Sequence, residues 1–121
     1  MKLRALRGAI TCDEDTKSEI EAKTTRMVKE LFARNGLSPD DVVSMLFTST
    51  PDLHAEFPAT AARAALGLDG VALMGAQEQD VAHGLPRCIR VMVHCYSDRP
   101  RDELHHVFLE GAAELRPDLP Q

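Results

Sequence analysis

The residues Cys88-Ile89-Arg90-Val91-Met92-Val93 form an apolar run with a guanidinium inside it, and no other position constrains the fold as strongly. Arginine cannot shed its charge in a protein, and taking that charge out of water unpaired costs several kcal/mol. A strand that carries Arg90 into a sheet must therefore meet an anion there. The anion is expected either from the chain itself or from a ligand.

Composition limits the kind of sheet available. The 121 residues are expected to form one domain, 1–121, that buries roughly two thirds of its unfolded surface. With 44% hydrophobic and 27% charged residues, the chain reads as an ordinary soluble globular protein. Only 4% of it is aromatic and Trp is absent, so the core must be aliphatic side chains and alanine in thin, close-packed layers. Such a thin domain is expected to need a partner subunit.

Charge narrows the function classes. A formal net charge of -5 argues against a nucleic-acid backbone or an anionic membrane surface as partner, because both attract basic patches. Ten of the fourteen basic residues are arginine, which suits forked recognition of carboxylates, although a GC-rich genome gives the same bias. Cys12, Cys88 and Cys95 make no CxxC pair, and no apolar stretch resembles a signal peptide or membrane span, so a reduced, cytoplasmic setting is expected. His54, His83, His94, His105 and His106 lack the spacing of a zinc site, and no metal is expected.

Periodicity supplies the elements. Residues 1–10 alternate as a strand, with Leu3, Ala5, Arg7 and Ala9 on one face. Asp13-Glu14-Asp15 offers N-cap candidates for an amphipathic helix that carries Ile20, Met27, Val28, Leu31 and Phe32 and stops at Asn35-Gly36. Ser38-Pro39-Asp40-Asp41 reads as a cap and short turn before the strand Val42 to Thr48, whose apolar character on both faces predicts a central sheet position. A polar loop from Thr50 ends at Pro58, which opens an alanine-rich helix closed by Gly67. Short strands follow at Val71 to Met74 and Cys88 to Tyr96, separated by the His83-Gly84 turn. Arg99 and Arg101 read as solvated. His106 to Leu115 stays ambiguous between strand and other structure, and Arg116-Pro117-Asp118 ends it. The order βαβαββ with a tail predicts an α/β or mixed α+β domain, a small mixed sheet with helices on one face. Residues alone thus leave two readings of Arg90: an ion pair with Glu78 near a strand end, or an anion pocket.

Several segments together resemble the small monofunctional chorismate mutases of the Bacillus type. These are Arg4-Ala5-Leu6-Arg7-Gly8-Ala9, Thr50-Pro51-Asp52-Leu53-His54-Ala55-Glu56-Phe57-Pro58-Ala59, Gln77-Glu78, Cys88-Ile89-Arg90-Val91-Met92, His106-Val107 and Leu115-Arg116-Pro117-Asp118-Leu119. The resemblance implies a cytoplasmic homotrimer whose sheets pack into a barrel-like core, with active sites between subunits. It implies conversion of chorismate to prephenate in aromatic amino acid biosynthesis (the shikimate pathway), without cofactors. By the same resemblance Arg90 bridges a carboxylate and the ether oxygen, Arg7 binds a carboxylate, and Glu78 accepts from the ring hydroxyl. Phe57, Ala59 and Arg63 come from the neighbouring subunit. Backbone groups of Met74 and Gly75, the side chain of Phe108, and the C-terminal Leu115 and Arg116 complete the expected site. Four positions depart from the pattern: Phe108 stands for a tyrosine, Gly75 for a cysteine, Met74 for a threonine and Thr60 for a lysine. Two competing expectations remain from other classes: a weakly catalytic or non-catalytic trimeric binder of small carboxylated metabolites, suggested by Phe108 and Gly75, and a cofactor-free imine hydrolase, suggested by fold analogy alone.

Overall fold

The computed structural model of the protein describes residues 1–116. Pro117, Asp118 and Leu119, which entered the reading of the C-terminus, lie outside the described residues. Five strands form a single sheet: β1 (Lys2–Thr11), β2 (Val42–Ser49), β3 (Ala72–Gln77), β4 (Cys88–Ser97) and β5 (Val107–Leu109). Their order is β3-β2-β4-β1-β5. β4 runs antiparallel to both β1 and β2, whereas β3 pairs parallel with β2 and β5 parallel with β1. The sheet is therefore mixed, as the element order predicts. The fifth strand lies in the stretch that the sequence left ambiguous. Val107-Phe108-Leu109 is β-prone, and the helical turn Glu110–Ala112 follows at once, with Gly111 N–H donating to Thr11 Oγ1.

Helices α1 (Lys17–Asn35) and α2 (Pro58–Leu66) pack against each other and against the sheet. Their apolar faces meet Leu6, Ile10, Met45, Phe47, Ile89, Val91 and Val93, none more than 2% exposed, and Ile20, Met27 and Leu31 of α1 are fully buried with them. Burial of each such side chain contributes about 1.5–3 kcal/mol, so this layer holds the sheet flat against α1. Gly8 lets the two approach: a Cβ there would meet Val91 Cγ1 at 3.1 Å and Met27 Cγ at 3.3 Å.

Three local expectations are corrected. The N-cap of α1 is Thr16, whose hydroxyl accepts from Glu19 N–H at 3.2 Å, not a member of the acidic cluster. Asp15 instead accepts from the backbone N–H groups of His54 and Ala55, pinning the polar loop to the head of α1. Arg99 is not merely solvated, because it donates to Arg34 O at the last turn of α1. Finally, β2 sits one place in from the edge, and β4 holds the centre. The apolar residues on the second face of β2 are explained differently: Leu46 is 40% exposed, on a face that also presents Leu3, Met74 and Tyr96. Both helices occupy the other face, and on this one the described residues cover only the end at which Ala9, Cys88 and Phe108 are buried with Ala112, Leu85 and Leu115. Among them, no helix is long and apolar enough to cross a membrane.

Candidate active site

Strand alternation places Arg90, Met92, His94 and Tyr96 on the open face of β4, while Ile89, Val91, Val93 and Cys95 enter the core. Arg90 has Ala9 beside it on β1 and Thr48 on β2. One neighbour is small and the other polar, which leaves room for a guanidinium to lie over the sheet. Arg7 shares the face one diagonal step away, opposite Met92. Glu78 follows β3 directly, anchored by its N–H donating to Ser49 O at 2.8 Å.

These residues converge. Arg7, Leu46, Thr48, Glu78, Arg90 and Met92 line one cavity of about 230 Å³ on the open face. Thr48 Oγ1 donates to Glu78 Oε2 at 2.8 Å, and Arg90 Nε lies 3.3 Å from the same oxygen. The second contact is a charge contact without hydrogen-bond alignment, so Arg90 Nε is buried with its N–H unsatisfied. An unfilled buried donor costs free energy that a bound acceptor would recover. A second cavity of about 490 Å³ adjoins the first, sharing Glu78 and Arg90 and bounded by Thr50 to Asp52 and by residues 79–82 and 84–86.

The charge balance of this corner is cationic. Burial, then the proximity of Arg90 and Arg116, lowers the Arg7 pKa, and Glu78 opposes them as the nearby anion. A cluster of like charges in a chain that is acidic overall is an electrostatic trap for a small anion. The Arg7 guanidinium lies 5.9 Å from the centre of the Phe108 ring, which is itself buried at 4% exposure among Ala9, Cys88 and Ala112. Phe108 thus supports the arginine from below as a cation–π partner.

Nucleophilic chemistry finds no support here. Burial pushes the thiols of Cys88 and Cys95 up, and that of Cys12 up to about 12, so each stays protonated at neutral pH. Arg90 lies near Cys88 but does not offset the burial. Among the described residues, no three His, Cys, Asp or Glu side chains gather as metal ligands would.

The other sequence-derived candidates lie apart within one chain. Phe57 is 73% exposed and lines a different cavity of about 480 Å³ with Gly75 and the loop from Thr50 to Pro58. Ala59 is half-buried and Arg63 exposed on α2, which packs on the opposite side of the sheet from Arg90. Met74 projects from the open face beside Leu46. Leu115 packs against the Phe108 cluster, and Arg116 acts electrostatically on Arg7. The space around Gly75 is open, with only Phe47 O near a hypothetical Cβ at 3.9 Å, so the missing cysteine reflects no crowding.

Two features escaped sequence reasoning. Thr48 orients Glu78, and alternation along β2 held a weak signal for it, since Thr48 falls on the face of Arg90. The second is a clasp: Asp52 accepts from the N–H of Arg87 and the hydroxyl of Thr50, while Thr50 Oγ1 accepts from Cys88 N–H at 2.9 Å. It fixes the start of β4 against the end of β2, two residues from Arg90. Arg87 takes a left-handed backbone conformation with φ 47°, which the clasp and its Nε bond to Cys12 O sustain.

Comparison with known proteins agrees with this arrangement. Residues 3–119 match the family described as chorismate mutase type I. The chain is 46% identical over 119 residues to chorismate mutase AroH of Bacillus subtilis (strain 168), covering 98% of this chain and 94% of that protein. It is 42% identical over 118 residues to chorismate mutase AroH of Thermus thermophilus, covering 97% of this chain and 96% of that protein. A solved chorismate mutase from Clostridium thermocellum superposes with a TM-score of 0.87 at 46% identity, over 90% of this chain and 96% of that one. With sequence and fold matched over nearly their full length, the chain belongs to the type I chorismate mutase family.

Proposed function

We propose that the protein is an isomerase that converts chorismate to prephenate in the cleft built on Arg7, Glu78 and Arg90. The reaction is a unimolecular 3,3 (Claisen) rearrangement in which one C–O bond breaks as one C–C bond forms. It requires no nucleophile and no proton transfer. Its barrier falls when the dianionic substrate is held in its compact reactive conformer and positive charge awaits the ether oxygen as that oxygen gains electron density.

The chain's residues match those demands. Arg90 carries a buried, unsatisfied Nε–H beside an anionic neighbour, and this observation carries the reading. In the proposed complex Arg90 donates to a carboxylate and to the ether oxygen. Arg7, stacked on Phe108, holds a carboxylate. Glu78, with one oxygen held by Thr48, offers the other to the ring hydroxyl. One glutamate faces two arginines in this cavity, so an internal ion pair alone leaves positive charge unbalanced.

The open sheet face belongs to the same proposal. Leu3, Leu46, Met74 and Tyr96 make an apolar surface of the kind that subunits cover, and Phe57 protrudes at 73% exposure. In a homotrimer packed through these faces, Phe57, Ala59 and Arg63 of one subunit close the Arg90 cleft of the next. The test is to mix purified protein with chorismate and follow loss of its ultraviolet absorbance and appearance of prephenate, with Arg90→Ala as control. Turnover lost in the variant is expected. A well-folded wild type that binds chorismate without converting it would leave the binder reading in its place.

A further inference from the structure

His106 occupies the position just before β5 begins and is 9% exposed. The β1–β5 ladder starts only at Gly8, paired with Val107, so the preceding N–H on β1 has no strand beside it. That N–H belongs to Arg7, and it donates to His106 Nδ1 at 3.0 Å. The imidazole therefore extends the ladder by one residue, at the residue whose guanidinium enters the cleft. Two positions further on, Phe108 supports the same guanidinium from below. One short segment thus holds Arg7 by its backbone and by its side chain.

The bond exists only with a neutral ring. Nδ1 accepts when the proton sits on Nε2, and a protonated imidazole presents a donor there instead. The surroundings favour the neutral form: burial first, then the positive charges of Arg7 on β1 and Arg116 near the C-terminus, lower the His106 pKa, with His105 adding to them. A cavity that His106 also lines carries Arg4 from β1, His94 from β4, and Arg101 and Asp102 from the preceding turn, a set with a single carboxylate.

We propose that neutral His106 is a positioning residue for Arg7, holding the backbone that aims the guanidinium at a substrate carboxylate, and that its protonation in acid releases this hold. The inference rests on the role given to Arg7 above. Its effect falls on substrate capture more than on the bond exchange, so it is read in KM.

The experiment compares wild type, His106→Asn and His106→Leu by steady-state kinetics with chorismate from mildly alkaline to acid pH, with thermal melting to verify folding. Asparagine sets an amide oxygen near the place of Nδ1 and does not titrate. Loss of the acceptor in H106L is expected to raise KM about tenfold with a smaller change in kcat, and H106N to recover most of that loss. The wild-type KM is expected to climb as pH drops below 6.5, and that of H106N to climb less. An unchanged KM in H106L, or parallel acid profiles for wild type and H106N, would overturn the proposal. Nitrogen NMR of the wild-type imidazole at neutral pH decides independently of the variants: a proton on Nε2 alone is expected, and one on Nδ1 overturns it. Lack of turnover by wild type would instead count against the proposed activity, with the NMR result still deciding the state of His106.

Discussion

Arg90 and Phe108 show how single side chains set the chemistry. A lysine in place of Arg90 keeps one positive charge but loses the planar fork and the buried Nε–H, so the electrostatic contact with a developing negative charge is misplaced. Arg90→Lys is expected to lower kcat by about 10²–10³-fold, the magnitude seen when one preorganised donor is removed, and a stopped chorismate assay measures it. An unchanged rate would take Arg90 out of the mechanism. Phe108 lies under Arg7 at the position where the family resemblance leads one to expect a tyrosine hydroxyl facing a carboxylate. Placing a hydroxyl there with Phe108→Tyr is expected to lower KM by about tenfold or more, since a hydrogen bond to a charged group contributes about 1.5 kcal/mol or more. A KM that stays constant would mean that the substrate carboxylate lies beyond the ring edge.

The joint between β2 and β4 depends on Asp52. Burial pushes its carboxyl up, but hydrogen bonds from the Thr50 hydroxyl and the Arg87 N–H, with the Arg87 charge, outweigh it and hold the group below its ordinary 3.8. The folded value is depressed, so the folded state binds this proton less readily than the unfolded chain. The clasp therefore stabilises the protein in full above pH 3.8, and the contribution is lost as pH falls through the lower folded value. Asp52→Asn is expected to flatten the acid limb of stability measured by urea unfolding below pH 5, after subtraction of its constant cost; an acid limb as steep as that of wild type would remove Asp52 from it. The same joint sets the start of the strand bearing Arg90, which links this element's acid stability to the shape of the cleft.

Among the described residues, much of one sheet face is left without cover. Helices shield one face, and the other presents Leu3, Leu46, Met74 and Tyr96. A charge at Leu3, which is 56% exposed and outside the Arg90 cavity, should leave the folded chain intact yet disrupt packing of sheet on sheet. If the proposed homotrimer forms through this face, Leu3→Glu is expected to shift it towards monomer in sedimentation velocity, with the far-ultraviolet spectrum preserved and chorismate turnover reduced. Trimers that persist with that charge in place would mean that subunits meet elsewhere.

The chain's own pattern settled the helices, four of the strands and the two faces of the first strand, because periods of 3.6 and 2 are local properties of the backbone. It also exposed Arg90 as an anomaly, since a charge within an apolar run is visible without coordinates. Other features depended on long-range proximity. Thr16 rather than Asp15 caps α1 because Asp15 is drawn to the loop at His54 and Ala55, and β5 forms because β1 offers it an unpaired edge. Thr48 and His106 gain their places beside Glu78 and Arg7 only when segments 30 and 99 residues apart are brought together. Hydrogen bonds between such distant segments depend on how the strands order and register, and that is decided when apolar surface from all of them is buried at once.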